Sequence, residues 1–379
     1  MICSSCGHNN LTENGPCSHC GANLSPRSQR AGRRNTAGRL KFAAVVLTIL
    51  GMALFVYLIY AIGFWEIVGG IEKFGWVGFA IILGMYFLRI LVRAIAWSLS
   101  VHPPYHLSVR DTIPAVIIGE AMSSTIPLGI VASGTSKALV VRDRVTLTVG
   151  LSSVATENLF YSFTTALFLI LGGIVMTLQF DLRPEVTAAI EFIVGTLAIL
   201  VALGIAMVIR EWHMASWCCE WLYQHDWFKR LLEKGRFDVR RFEDLIYGFY
   251  REFPSRFVPI CLLECLYHLF GVAEVWYILT RIATHPSFTA AFLLESISRM
   301  INVVFKLVPF LIGVDEAGAR FVGESLALAA GVGVTLAVIR KGRILFWSIA
   351  GIILLIKRGL SIRHLHQWLD APETEESAG

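Results

Sequence analysis

Long apolar segments separated by short polar stretches occupy most of the chain from residue 43 onward. The first, 43–62, has 20 residues and no charged side chain, which is about the length that crosses a hydrocarbon core ~30 Å thick. Comparable segments follow at 75–101, 145–177, 187–209, 257–283, 288–308, 319–339 and 344–358. The pattern predicts an all-α polytopic membrane protein.

Two apolar stretches are interrupted by helix-breaking and polar residues. The segment 112–131 contains Glu120, Pro127 and several hydroxyl side chains, and a second break contains Pro309 and Gly313. Irregular backbone at membrane depth is tolerated only where protein or water surrounds it. We therefore predict broken or re-entrant elements at both places, which fall in corresponding halves of the chain. In all, we predict about eight membrane-embedded helical segments.

Composition supports a lipid environment. Hydrophobic residues make up 55% of the chain and charged residues 16%, and the mean hydropathy is +0.64. A soluble domain carries about 25% charged residues. This apolar surplus is too large for one soluble core, so we expect lipid to be the solvent.

The positive charges are concentrated at particular places. The run 27–41 carries six Lys and Arg residues directly before the first span, and this predicts a cytosolic N-terminus. Nucleic-acid binding is the alternative interpretation, but a topology signal that also touches anionic lipid accounts for the run. We expect no nucleic-acid partner. The final span has basic residues at both ends, so charge leaves its orientation open.

One long polar insertion, residues 210–256, divides the membrane part. It holds nine Lys and Arg residues, so we expect it on the cytosolic side. Four tryptophans lie in its first half: Trp212, Trp217, Trp221 and Trp227. Indole rings favour the headgroup region, which predicts an interfacial helix here.

The N-terminal segment 1–24 contains two CxxC pairs, Cys3 with Cys6 and Cys17 with Cys20. Four thiolates on two tight turns are the ligand set of a structural Zn²⁺ site. Two disulfides are the alternative, but a cytosolic segment lies in a reducing compartment. The sequence therefore predicts a small zinc ribbon.

The domain organisation follows from these features. We predict a zinc ribbon at 1–24 and a basic flexible linker at 25–41. The membrane domain extends over 42–360 and includes the insertion 210–256, and an acidic disordered tail follows at 361–379.

A polar stripe crosses the segment 295–309, "ESISRMINVVFKLVP". Each helical residue turns about 100°, so Glu295, Arg299, Asn302 and Lys306 fall on one narrow face. Glu295 and Arg299 are spaced i,i+4 and can pair directly.

Other spans carry ionisable residues as well. Arg89 and Arg93 are spaced i,i+4, Glu157 lies deep in the span 145–177, and Glu316 lies in the second break. A charge at mid-bilayer costs ~2.5–3.5 kcal/mol, so several of them imply a shared interior. The alternative is that they are structural ion pairs between helices, or snorkel to the headgroups.

A polar cavity that handles a charged or amphiphilic substrate is the functional interpretation. The predicted substrate-binding residues are Arg89, Arg93, Glu157, Glu295, Arg299, Asn302, Lys306 and Glu316.

Three stretches together resemble a known family: "GEAMSSTIPLGIVASGTSKALVVRDR", "SSVATENLF" and "LVPFLIGVDEAGARFVGESLALAAGVG". They are similar to the flippase-like membrane domain of lysylphosphatidylglycerol synthases, over roughly residues 42–360. The residues that carry the likeness are Pro127, Gly129, Gly134, Glu157, Pro309, Gly313 and Glu316. The chain differs from the family's usual pattern at "PFLIGVDE" and "SGTSK".

The resemblance implies a multi-pass protein of the bacterial inner membrane that moves a polar-headed lipid between leaflets. It does not imply synthase activity. The synthases carry a large soluble catalytic domain after the membrane part, whereas 19 residues follow Leu360 here. We therefore expect a stand-alone member without enzymatic activity.

Two other functions stay open from the sequence. A membrane-embedded enzyme acting on a lipid headgroup would need a nucleophile or metal site, and the chain contains no HExxH or GxSxG motif. A regulatory or scaffolding membrane protein would use the zinc ribbon to dock a cytosolic protein.

Overall fold

The computed structural model describes residues 64–125, 129–180, 184–224, 246–304, 311–325 and 330–358, with a few single positions between these ranges. The predicted zinc ribbon with its ligands Cys3, Cys6, Cys17 and Cys20 lies outside the described residues. The linker at 25–41, most of the span 43–62 and the tail at 361–379 do so as well.

Every regular element in these ranges is helical. The labelled helices are α1 (Phe64–Leu99), α2 (Val109–Thr125), α3 (Gly129–Val140), α4 (Leu147–Gln179), α5 (Pro184–Ile209), α6 (Met214–Gln224), α7 (Phe257–Ile282), α8 (Phe288–Val304), α9 (Val314–Ser325) and α10 (Ala330–Lys357). A helical stretch at 246–252 and a 3₁₀ turn, Pro254–Arg256, precede α7. The all-α prediction is confirmed for this part of the chain.

Within the described ranges, four helical segments are long and apolar enough to cross a membrane. They are Ile67–Leu99, Leu147–Gln179, Pro184–Ile209 and Pro254–Ile282. These segments match the predicted spans 75–101, 145–177, 187–209 and 257–283, which confirms the multi-pass character. The other helices are shorter or carry more charge, so the total of about eight membrane segments stays a prediction.

α1 begins earlier than the predicted span and bends where that span was expected to start. Gly75 has a non-helical backbone (φ 66°, ψ 171°) inside α1. Glycine adopts this left-handed φ without steric cost, so the helix continues from Phe64 across a kink.

The first predicted break separates two short helices, α2 and α3, and Pro127 lies among the undescribed residues between them. The three basic residues Lys137, Arg142 and Arg144 after this break predict a basic loop from the sequence alone. For Lys137 this is wrong, because α3 continues to Val140 and the lysine is a buried helical residue. Its charge is tolerated there because a carboxylate faces it.

The last two predicted spans, 319–339 and 344–358, are also wrong. The chain forms the short helix α9 and then one continuous helix, α10, which includes the "RKGR" stretch expected to be a loop. Arginine and lysine are good helix formers, and α10 has anionic partners for its basic residues. The charges therefore do not end the helix.

In the insertion 210–256 the described residues mainly form α6, the helical stretch 246–252 and the 3₁₀ turn, while 210–213 are not helical. α6 exposes Trp217 and Trp221, and Trp212 before it is also exposed. Trp227 lies outside the described residues. Exposed indoles on a short helix agree with the predicted interfacial position.

Two sets of four helices pack in the same pattern. α1–α2, α2–α3 and α3–α4 are in contact, as are α7–α8, α8–α9 and α9–α10. Between the sets, α2 packs on α10 and α8 on α4, while α1 packs on α10 and α7 on α4. The two chain breaks fall at equivalent places in this scheme, between α2 and α3 and between α8 and α9.

The central pair of helices, α1 and α7, is antiparallel. Phe74 contacts the ring of Tyr277 near one end, and Ala96 packs with Ile260 near the other. Exchanging the two sets preserves the contacts described above, and the antiparallel central pair gives the sets opposite directions. This is the arrangement of an inverted repeat.

Candidate functional site

Two arginines of α1 point into the helix assembly. Arg89 and Arg93 lie one turn apart on the same face, because residues spaced i,i+4 are neighbours on a helix. Both are buried, and Arg89 is 0% exposed. A guanidinium in such a position needs anionic partners from neighbouring helices.

Arg93 organises a first set of charges, the Glu157 cluster, which consists of Arg93, Glu120, Lys137 and Glu157. Arg93 Nε donates to Glu157 Oε1 at 2.7 Å, and its Nη1 donates to Glu120 Oε1 at 3.0 Å. Its Nη2 donates to Asn158 Oδ1 at 3.1 Å. Lys137 Nζ lies 3.6 Å from Glu157 Oε2. Two cations and two anions from four helices therefore balance one another.

A second set, the Glu295 cluster, consists of Arg89, Glu274, Glu295, Arg299, Arg340 and Arg343. Arg299 donates from Nε and Nη2 to Glu295 Oε1 at 2.8 and 2.6 Å, so the predicted i,i+4 pair is formed. Arg340 Nη2 donates to the other oxygen of Glu295 at 2.7 Å. Arg89 Nη2 also lies 3.5 Å from Glu295 Oε1. Three arginines from three helices thus face one carboxylate.

Glu274 is the second carboxylate of the Glu295 cluster. Arg343 donates to Glu274 Oε1, and Arg89 Nη1 lies 3.5 Å from Glu274 Oε2. Arg89 therefore bridges Glu274 and Glu295.

A short polar chain extends the Glu295 cluster toward α9. Arg340 Nη1 donates to Ser298 Oγ at 2.9 Å, and Ser298 Oγ donates to Asp315 Oδ1 at 3.0 Å. Among the described residues, Asp315 is linked to Arg340 through Ser298. The cluster itself holds four guanidinium groups against two carboxylates, and counting Asp315 as a third anion still leaves one positive charge in surplus.

The ring of Tyr267 on α7 joins the two clusters. Its centroid lies 4.2 Å from the guanidinium carbon of Arg89, 5.3 Å from that of Arg299 and 5.8 Å from that of Arg93. Arg299 Nη1 also donates to the Tyr267 hydroxyl at 3.3 Å. Cations of both clusters therefore share one aromatic face.

Tyr86 on α1 makes a second connection. Its hydroxyl donates to Glu120 Oε2 at 3.4 Å. Its ring centroid lies 4.2 Å from the guanidinium carbon of Arg343 and 5.5 Å from that of Arg89. The two clusters thus form one polar network inside the helix assembly, and its charges do not extend to separate helix ends.

Comparison with known proteins identifies the family. Residues 42–351 match the model of the lysylphosphatidylglycerol synthase TM region. The chain belongs to this family. The match includes every residue of both clusters, and no curated protein and no solved structure matches the chain. Membership makes the protein a membrane protein linked to lipid handling.

In this family member, the polar network contains buried hydrogen-bond donors that have no acceptor among the described residues. Arg89 Nε and Arg343 Nε are buried and have no hydrogen-bond acceptor among the described residues, whereas Arg89 Nη1 faces Glu274 Oε2. Trp347 Nε1, one turn beyond Arg343 on α10, likewise has no acceptor among them. These three side chains surround the ring of Tyr86. Such donors can bind an additional anionic group.

Glu316 lies apart from both clusters. Its Oε2 accepts a hydrogen bond from the Gly313 backbone N–H at 2.8 Å, and its Oε1 lies 2.7 Å from Lys341 Nζ. Gly313 and Leu311 have left-handed backbones (φ 82° and 51°). Glu316 therefore caps the start of α9 and holds the second break in shape, a structural environment for a residue predicted to bind substrate.

Two other predicted site residues cannot be placed beside the network. Lys306 lies outside the described residues, and only the backbone of Asn302 is described. The structure brings together the remaining five: Arg89, Arg93, Glu157, Glu295 and Arg299.

The structure adds five residues that were not among the predicted binding residues: Glu120, Lys137, Glu274, Arg340 and Arg343. Each follows or interrupts an apolar stretch, which was the available signal. Lys137 and "RKGR" were assigned to loops because basic residues usually mark cytosolic loops. The apolar residues on both sides of "RKGR" were the indication that this stretch is embedded.

Proposed function

We propose that the protein moves a lipid with a polar, phosphate-bearing headgroup between membrane leaflets, with the headgroup passing along the polar network. The single observation that carries this proposal is the arginine surplus of the Glu295 cluster. Four guanidinium groups face two carboxylates, and Arg89 and Arg343 retain buried donors without acceptors. Arginine matches the geometry of phosphate oxygens.

Ion pairs that only fasten helices are the competing explanation. A buried ion pair stabilises a protein little, because desolvation of the two charges offsets their attraction. A network of ion pairs that only holds helices together also does not require more cations than anions. The surplus therefore favours a network that receives an anion.

The network is reachable at its edges. The side chains of Arg93, Glu120 and Arg299 are 10%, 24% and 11% exposed, whereas Arg89 and Glu295 are fully buried. A headgroup would meet the partly exposed side chains first.

The fold supports the same function. Inverted repeats with broken helices occur in transporters, where substrate sites lie near the repeat interface. Here the interface is the α1–α7 pair, and residues of this pair contribute to both clusters.

In this proposal the lipid leaves chemically unchanged, so the protein is not an enzyme. We further propose that it resides in a bacterial inner membrane with a cytosolic N-terminus, as the basic run at 27–41 indicates.

The test is lipid movement in proteoliposomes that contain a fluorescent phosphatidylglycerol. Arg299→Ala removes a cation that touches Glu295, and we expect the initial rate to fall at least tenfold, which corresponds to ~1.4 kcal/mol in the barrier. Arg281→Ala is the matched control, because Arg281 is an exposed arginine near the end of α7.

The lipid is recovered afterwards and checked by mass spectrometry for an unchanged headgroup. Equal rates for the wild type, Arg299→Ala and Arg281→Ala would contradict the proposal. So would a chemically altered lipid.

A further inference from the structure

Glu264 on α7 is a buried carboxyl group without a partner. It is 0% exposed, and neither Oε1 nor Oε2 has a hydrogen-bond partner among the described residues. Glu157 and Glu295, by contrast, both accept hydrogen bonds from arginine. An isolated carboxylate in such surroundings is so costly that the group takes up a proton instead. The Glu264 carboxyl group is therefore suited to hold a proton in this conformation.

The charges that act on Glu264 most strongly are those of Glu157, Arg93 and Lys137. Arg93 makes no hydrogen bond to Glu264 among the described contacts, because Nε, Nη1 and Nη2 each donate to another residue. Lys137 faces Glu157. Both nearby cations are thus engaged by other groups, and Glu264 stays unpaired only while that arrangement lasts.

Among the residues that the structure describes, the remaining surroundings of Glu264 supply no strong counter-charge. On α7 itself, His268 lies one turn away with Nε2 3.2 Å from Thr165 Oγ1, and Cys261 and Cys265 are thiols. The charged residues of α8 and α10 that pack against α7 are paired within the Glu295 cluster.

A headgroup phosphate would link the engagement of Arg93 and Lys137 to the protonation of Glu264. When it engages Arg93 or Lys137, it adds negative charge beside Glu264 and draws the cations away, so protonation of Glu264 is favoured. When the phosphate leaves, the released cations face Glu264 and favour loss of the proton. Because such coupling is reciprocal, a protonated Glu264 also strengthens phosphate binding.

We propose that Glu264 is a proton-binding site through which lipid movement is coupled to a proton gradient, with the anionic headgroup and the proton travelling together. The inference rests on the proposed function. The Glu264 carboxylate takes one proton from water on one side and returns it to water on the other. Buried acidic residues in membrane helices commonly serve as such relays.

The experiment measures how a labelled phosphatidylglycerol distributes between the leaflets of proteoliposomes with an imposed pH difference of about one unit. For the wild type we expect accumulation in the leaflet facing the alkaline compartment, up to about tenfold for one coupled proton. Reversing the gradient should reverse the distribution.

Glu264→Gln mimics the neutral acid. We expect it to move lipid at equal pH but to leave the leaflets equally populated under the gradient. Glu191→Gln, an exposed glutamate of α5, is the matched control and should respond like the wild type.

The possible failures separate the two proposals. Lipid movement without a gradient response, or accumulation on the acidic side, overturns the coupling and leaves the proposed function standing. A wild type that moves no lipid overturns both. If Glu264→Gln does not fold, the infrared carbonyl band of a buried protonated carboxyl group in the wild type decides, and its absence at neutral pH overturns the proposal.

Discussion

Arg340 and Arg343 show how the environment of single residues decides the structure of α10. They are spaced i,i+3 and therefore share one face of the helix, where Arg340 meets Glu295 and Arg343 meets Glu274. Lys341 points in another direction and meets Glu316. Each basic residue of "RKGR" thus faces a different carboxylate, which lets the helix continue through three charges.

Arg340→Ala should destabilise the protein by about 3 kcal/mol, at the lower end for breaking a buried pair, because Arg299 and Arg89 still face Glu295. Lys357→Ala, in the exposed last turn of α10, should change stability by less than about 0.5 kcal/mol. The free energy of unfolding in mixed detergent micelles measures both. A loss for Arg340→Ala no larger than for Lys357→Ala would show that the pair contributes nothing to stability.

The charges of the site were predictable from the sequence only in part. The i,i+4 spacing identified Glu295 with Arg299 as a pair, and the depth of Glu157 marked it as buried. Its partners were not predictable, because Arg93 meets Glu157 across 64 residues of chain and Arg340 meets Glu295 across 45. Such pairings depend on how helices pack, which no local pattern specifies.

At the scale of elements, the crossing of α7 with its neighbours depends on Gly271. A Cβ atom at this position would meet Oε1 of Glu295 and lie 3.2 Å from Arg89 Nη1. Because Gly271 has no side chain, Arg89 of α1 and Glu295 of α8 can approach each other next to α7.

Gly271→Ala should push Glu295 out of place and cost about 1–3 kcal/mol of stability, together with a reduced rate of lipid movement. Gly84→Ala on α1 is the matched control, because nothing lies within 4 Å of a Cβ there. Its higher helix propensity should leave stability unchanged or slightly increased. Thermal unfolding in detergent compares the two, and equal melting temperatures would refute the close approach at Gly271.

The helices themselves were predictable where neighbouring residues in the sequence supply the signal. Proline and glycine marked the break between α2 and α3, and long, mostly apolar stretches marked α4, α5 and α7. The prediction failed at α10. Basic residues usually mark cytosolic loops, but those of "RKGR" are neutralised by carboxylates that are distant in sequence.

At the scale of the whole molecule, the four N-terminal cysteines are separated in sequence from the first apolar segment by the basic stretch 25–41. We propose that they bind one structural Zn²⁺ per chain. Metal analysis of the purified protein should give one zinc, and Cys3→Ser with Cys6→Ser should abolish it.

The matched control for this prediction is Cys218→Ser with Cys219→Ser. These adjacent cysteines of α6 are free thiols, so their replacement should leave the zinc content at one per chain. Full zinc retention after loss of Cys3 and Cys6 would mean that the metal is held elsewhere.

The inverted repeat was foreseeable only as two similar breaks in corresponding halves. The two sets of helices have the same kind of break but different amino-acid sequences. The packing that relates α1–α4 to α7–α10 is therefore visible only in three dimensions.

This repeat has an energetic consequence. Two backbone halves of like packing can exchange roles, so conformations open to either leaflet should lie close in free energy. The side chains do not share that equivalence, since the Glu157 cluster holds equal numbers of cations and anions and the Glu295 cluster holds more guanidinium groups than carboxylates. A phosphate group would therefore dwell longer at one cluster than at the other, while the direction of net lipid movement would still be set by an external gradient.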